Sequence, residues 1–326
     1  MKRRTRGNRK KIIILSSILV ASLFMAVGYS LLSQTLQLEG EANLRAAEKY
    51  LWHKITNEYV ATSGSGFYEN NHESKKYSYV GDGTSNYISL NNELWRIVSV
   101  ESDHTIKVVK LDDSIVKEYD ATGNRTTNST YCTNLENGCN AWNTKDTLTN
   151  GQISGSVEND STMLTYLNTD FYNSLSDELK NVIVEHTFNI GSVNDGATFN
   201  EALVQENEYT WNGKIGLLNI TEMLYPSNNS TSTSQMTIGQ QAYEDNYLLS
   251  FATGKFLWTM NAVNNNSTDM WTIGYDKIPI GKASNNSTET IDEVTYNYVA
   301  LPTLYLSSTV EYNSGSGTLD NPFTIK

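Results

Sequence analysis

The apolar and polar positions divide the chain into an uninterrupted apolar run, an amphipathic helix and a long strand-rich remainder. No charged residue occurs from Ile12 to Leu32. A helix over that run would reach roughly 32 Å, about the hydrocarbon thickness of a bilayer, so a transmembrane helix is expected at 12–33. From Glu41 to Tyr59 the apolar residues Leu44, Ala47, Leu51, Ile55 and Tyr59 recur at steps of three and four, which predicts a second helix. Ser63, Gly64, Ser65 and Gly66 then mark a joint.

Beyond the joint the period shortens. Runs at Tyr87–Leu90, Leu94–Val100 and Thr105–Leu111, separated by Asn91-Asn92 and Glu101–His104, read as an antiparallel meander with Trp95 and Ile97 inside. Residues 113–160 are rich in Asn, Thr, Ser and Gly and read as loops. Helical spacing returns at Met163, Leu164, Leu167, Phe171 and Leu175, and Ser176 is placed to cap a following helix holding Leu179, Val182 and Ile183. Further strands are expected at Lys214–Asn219, Phe256–Met260, Met270–Tyr275, Val294–Leu301 and Thr303–Leu306, with one helical turn at TEMLYPS ended by Pro226. Phe323 reads as the plug of a final edge strand.

The fold class expected is therefore α+β: a transmembrane helix followed by one strand-rich ectodomain with antiparallel sheets and two main helices. Its divisions are a basic cytoplasmic segment at 1–11, the span at 12–33, a juxtamembrane helix and linker at 34–66, and the ectodomain at 67–326.

Charge sharpens this picture. Lys2, Arg3, Arg4, Arg6, Arg9, Lys10 and Lys11 precede the apolar run, which by the positive-inside bias puts the N-terminus in the cytoplasm and the C-terminus outside. The competing reading is a cleaved signal peptide and a secreted product, for which Ala26 and Gly28 supply the small residues of a cleavage site. Of 24 Lys and Arg in the chain, only 17 remain beyond residue 33, against all 36 Asp and Glu. So acidic a remainder argues against nucleic acid and against an anionic lipid surface.

The only two cysteines, Cys132 and Cys139, lie close together, which in an exported segment favours a disulfide over free thiols. His53, His72, His104 and His186 are scattered, so no metal site or other cofactor is expected. His186, next to Glu185 at an expected helix end, is the best candidate base, but no G-x-S-x-G or H-E-x-x-H motif accompanies it. The loop Gly81–Asn86 reads as a tight turn rather than a calcium site. Trp95, Trp258 and Trp271 stand in apolar strand contexts. Trp142 and Trp211 stand in polar stretches and are the residues expected on any ligand-binding face.

Six phrases then carry a resemblance: NNELWRIVSV (91–100), LNTDFYNSL (167–175), KIGLLNITEML (214–224), FLWTM (256–260), YVALPTLYL (298–306) and GSGTLDNPFTI (315–325). In this order the chain resembles an uncharacterised surface-protein domain of Firmicutes and Mollicutes-like bacteria, over most of residues 67–326. That family is distantly similar to C-type-lectin-like and formylglycine-generating-enzyme-like folds, which implies a compact α+β domain. One departure is that Ala300-Leu301-Pro302 stands where such domains read V-R-P. The calcium-binding triplets of C-type lectins are also missing, Trp211-Asn212-Gly213 being the nearest.

The function expected is a membrane-anchored, non-enzymatic binding or adhesion module of a bacterial surface, with a carbohydrate or protein ligand. The alternatives are a self-associating structural component of the envelope or of surface fibres, and, third, a surface enzyme.

Overall fold

A computed structural model describes residues 22–34, 47–120, 142, 160–227, 238, 246–264 and 268–326. The chain separates into two units, Met1–Lys49 and Tyr50–Lys326.

In the first unit residues 22–34 are helical, which at 1.5 Å per residue reaches about 20 Å and falls short of a hydrocarbon core of about 30 Å. Residues 12–21 lie outside the described residues. Among the described residues no helix is long and apolar enough to cross a membrane. This overturns the transmembrane helix at 12–33, and with it the single-pass, cytoplasmic-to-extracellular placement that rested on it. Cys132 and Cys139 likewise lie outside the described residues.

The second unit holds two curled sheets and several short helices. Helix α1 (Leu51–Glu58) buries Leu51 and Ile55, the positions that its apolar stripe predicts. The larger sheet contains β1 (Gly66–Glu69), β2 (Tyr77–Val80), β3 (Tyr87–Leu90), β4 (Glu93–Val100) and β5 (Ile106–Val109). Helix α2 follows, from Thr162–Tyr166 through a π-helical turn at Leu167–Phe171 into Tyr172–Ser174. Helix α3 (Asp177–Val182) begins on the Ser176 cap, whose hydroxyl accepts from Leu179 N at 3.2 Å as its sequence predicts.

Short strands β6 (Ile183–Val184), β7 (His186–Asn189), β8 (Thr210–Gly213) and β9 (Ile215–Gly216) interleave with helices α4 (Phe199–Glu206), α5 (Ile220–Leu224) and α6 (Tyr247–Phe251). The second sheet is β10 (Lys255–Ala262), β11 (Asp269–Ile273), β12 (Pro279–Ala283), β13 (Thr288–Ile291) and β14 (Val294–Val299), and the chain closes with β15 (Thr303–Leu306), β16 (Tyr312–Ser314) and β17 (Phe323–Ile325).

In the larger sheet the order is β16-β17-β3-β4-β5-β15-β6, with β1 joined through β2 to β4 and β9 joined to β15. The second sheet runs β12-β11-β10-β14-β13, and β7 pairs with β8. The sheets are mixed rather than purely antiparallel, because β10 runs parallel to β14 and β17 parallel to β3. Phe323 is fully buried, as a plug should be, yet its strand lies between β16 and β3 rather than at the edge.

Two local devices depart from regular pairing. Trp95 and Ile97 are buried, but between Ile97 and Ser99 the pairing of β4 with β5 slips: Ile97 faces Val108, and Ser99 faces Lys107. Since residues 107 and 108 point to opposite faces, the extra residue Val98 turns Ser99 away from the face that holds Ile97. The second device is the Asn168 side chain in the π-helical turn. Its amide nitrogen donates to Ile215 O at 2.8 Å and its oxygen accepts from Ile215 N at 3.1 Å, so it occupies the outer side of β9 as a neighbouring strand would.

Helix α4 has no counterpart among the expected elements, although Thr198-Phe199-Asn200-Glu201 carries the capping-box spacing. Thr198 Oγ1 accepts from Glu201 N and Glu201 Oε2 accepts from Thr198 N. Replacing Thr198 by Ala removes one half of the box, and urea unfolding should show a loss of about 1 kcal/mol.

Candidate functional site

The sheet register brings polar residues into one row. Ser78 of β2 pairs with Ser99 of β4, Ser99 with Lys107 of β5, and Lys107 with Tyr305 of β15. Directly opposed residues share a face. The bulge at Val98 therefore places a serine, a lysine and a tyrosine side by side on a buried surface.

Around this row lies a cleft of about 260 Å3, lined by Glu73, Lys76, Glu101, Ser102, Asp103, Lys107, His186, Thr187, Asn189, Asn219, Glu222 and Tyr305. Its charges are paired in its floor. Lys107 Nζ, on a residue 3 % exposed, bonds Glu222 Oε1 and lies over the Phe188 and Tyr305 rings. Lys76 Nζ meets Glu73 Oε1 at 2.9 Å and Glu101 Oε2 at 3.3 Å, and Ser99 donates to the other Glu101 oxygen. The wall is the His186 ring stacked on Tyr305 at 3.8 Å, with His186 Nε2 3.3 Å from Asp103 Oδ2.

Helix α5 presents Glu222 to this floor, and its first turn is held from several directions. Ile220 N donates to Asn261 Oδ1 of β10 at 2.8 Å, Thr221 N to Glu206 Oε1 of α4 at 2.9 Å, and Asn219 N to Glu222 Oε2 at 3.0 Å. Backbone donors that a helix start leaves open are thus closed by side chains from both neighbours and from the helix itself.

Burial and charge act against each other here. Burial disfavours the Lys76 ammonium, but Glu101, Glu222 and Glu73 outweigh it and its pKa is raised. Burial pushes the Glu222 carboxyl up, while Lys107, Lys76 and the Asn219 N–H reverse this and hold it below its ordinary value. Among the described residues no cation is paired with Glu206. Burial drives its carboxyl from 4.5 up to about 8, the Thr221 hydrogen bonds oppose the rise, and the Glu222 charge adds to it.

The residues singled out from sequence lie elsewhere or play different parts. Trp142 is fully buried, with its ring 5.4 Å from that of half-buried Trp211 and 6.1 Å from Tyr119. The two tryptophans do meet, but Trp142 offers no face to solvent. His186 opens strand β7 instead of closing a helix, and it does line the cleft. In the turn at Gly81–Asn86, Arg96 Nη2 donates to Gly83 O, and Arg96 Nε donates to Asn86 Oδ1 at 2.8 Å. No group of three or more His, Cys, Asp or Glu suited to a metal ion occurs among the described residues. Sequence reading missed Lys76, Glu101, Lys107, Glu206 and Glu222. The one local signal was Asn219-x-x-Glu222, a capping-box spacing ahead of an apolar turn.

Residues 148–291 match the profile of a family described as a domain of unknown function (DUF6273). The match takes in α2 to β13, and so the side of the cleft that carries His186, Asn219 and Glu222. No curated protein and no solved structure matches the chain.

The floor makes two measurable demands. Lys107→Met leaves Glu222 without its nearest cation in a buried setting, and chemical denaturation should show a loss of about 3–5 kcal/mol. For Glu206, the folded carboxyl at about 8 keeps a proton that the unfolded chain releases near 4.5. The stability so contributed is fully present below that window and is lost as pH rises through about 8. Tm should therefore fall from about pH 5 to 8 and level off above that, and fall less in Glu206→Gln.

Proposed function

We propose that the Tyr50–Lys326 unit is a non-enzymatic binding module that holds a small, polar, uncharged ligand of carbohydrate type in the cleft over Lys107 and Glu222. The observation that carries this reading is a preformed cleft whose charges already have partners but keep spare hydrogen-bonding capacity. An ammonium has three donors and a carboxylate about four acceptor positions, whereas Lys107 gives one bond to Glu222 and Lys76 is shared between Glu73 and Glu101. Sugar hydroxyls both donate and accept, and so use such a surface without bringing a net charge that the site must neutralise.

Size and sign support the same ligand. The volume of about 260 Å3 is below the roughly 300–1,000 Å3 of sites for drug-sized molecules, so one ring-sized unit fits. Glu73, Glu101, Asp103 and Glu222 outnumber Lys76 and Lys107, which disfavours anions.

The chemistry around the cleft supports binding rather than catalysis. Among the described residues no hydroxyl is hydrogen-bonded to a histidine ring nitrogen: the His186 nitrogens face Asp103 and the Thr187 carbonyl. Ser99 donates to a carboxylate whose second oxygen is taken by Lys76. An activated nucleophile needs a free base beside it.

Exposed Ser102 stands at the mouth, so Ser102→Trp plugs the cleft and leaves the buried pairs in place. On a glycan array the full chain should bind neutral saccharides, and the variant should bind about tenfold or more weakly. An array with no saccharide bound, or binding indifferent to the plug, would remove the proposal.

A further inference from the structure

Resting on the reading of the cleft as a saccharide site, we infer that its ligand is a neutral N-acetylhexosamine whose acetamido group enters a second, apolar arm. The arm lies next to the cleft, with Glu73, Lys76 and Glu222 lining both. Its remaining walls are more apolar: Val98, Phe199, Leu203, Tyr225 and Pro226 supply carbon, beside the polar side chains of Asn70, Ser78, Ser99 and Thr221, and His72 adds a ring nitrogen.

The arm has a volume of about 30 Å3, room for roughly two water-sized groups. A hexose ring does not fit there. The methyl and carbonyl ends of an acetamide do, and the apolar walls suit the methyl.

His72 makes the arm selective for an amide over a bare methyl. Its Nε2 is buried without a hydrogen-bond partner, in a wall where an unpaired polar atom is costly. The residue is fixed in place: Asn70 Oδ1 accepts from His72 N at 2.8 Å and from Glu73 N at 3.2 Å, and the imidazole packs 5.1 Å from Phe199. An acetamide, with one donor and one acceptor, pairs that nitrogen in either tautomer. Burial also lowers the His72 pKa, which keeps the ring neutral in a cleft that rejects anions.

The test is saturation-transfer NMR and calorimetry on the full chain, with N-acetylglucosamine, N-acetylgalactosamine and N-acetylmannosamine each against its parent hexose. Burying one methyl group and making one hydrogen bond corresponds to about tenfold tighter binding for at least one N-acetylated sugar. Leu203→Phe fills the arm from the half-buried face of α4 and should abolish the preference while leaving hexose binding in place. If that variant also loses hexose binding, His72→Phe decides: the preference should shrink with the hexose affinity unchanged. Equal binding of each pair, or a preference that survives both variants, would overturn the acetamide inference and spare the cleft. Binding of none of the six sugars would overturn the cleft reading as well.

Discussion

The Lys107–Glu222 ion pair is the contact on which the arrangement of this domain turns. It joins β5, in the middle of the larger sheet, to the first turn of α5. That same turn is held by Asn261 from the second sheet and by Glu206 from α4. A buried ion pair often adds little net stability compared with apolar residues of the same size, because both charges must be stripped of water. Its effect here is positional. Glu222 has no other place where its charge is met by both lysines, so α5 has one register against the sheet, and the cleft has one shape.

The second constraint is geometric. Were the strand paired regularly through Val98, Ser99 would lie on the face occupied by Ile97, and the row that runs from Ser78 to Tyr305 would be broken. The ion pair and the bulge are therefore complementary: one fixes the helix above the row, the other fixes which residues make the row.

Local pattern makes much of the scaffold legible. The strands at Tyr87–Leu90 and Thr303–Leu306, the burial of Trp95 and Ile97, and the Ser176 cap follow from alternation and capping, which are properties of a few neighbouring residues. Helix α4 is equally legible from Thr198 and Glu201, but its apolar stripe is too short to stand out by periodicity. The apolar run at 12–33 shows the opposite failure, where length and hydropathy in the sequence point to a membrane span that no described helix provides. The cleft is hidden for a different reason. Glu73, Lys76, Glu101, Lys107, His186 and Glu222 are scattered along the chain and share no common motif; strand pairing and the docking of α5 bring them together. Trp142 and Trp211 stand out by the polarity of their neighbours in sequence, whereas burial is decided by neighbours in space.

Asn168 has a bearing on how the domain coexists with its own copies. A foreign strand that tries to extend the sheet at β9 needs the N–H and the carbonyl of Ile215, and one side-chain amide already holds both. Because that amide belongs to a π-helical turn of α2, an element earlier in the chain, the edge is guarded from within the same molecule. At crowded concentrations, intermolecular strand exchange at this position must first unseat a helix, which turns an open template for aggregation into a kinetically closed one.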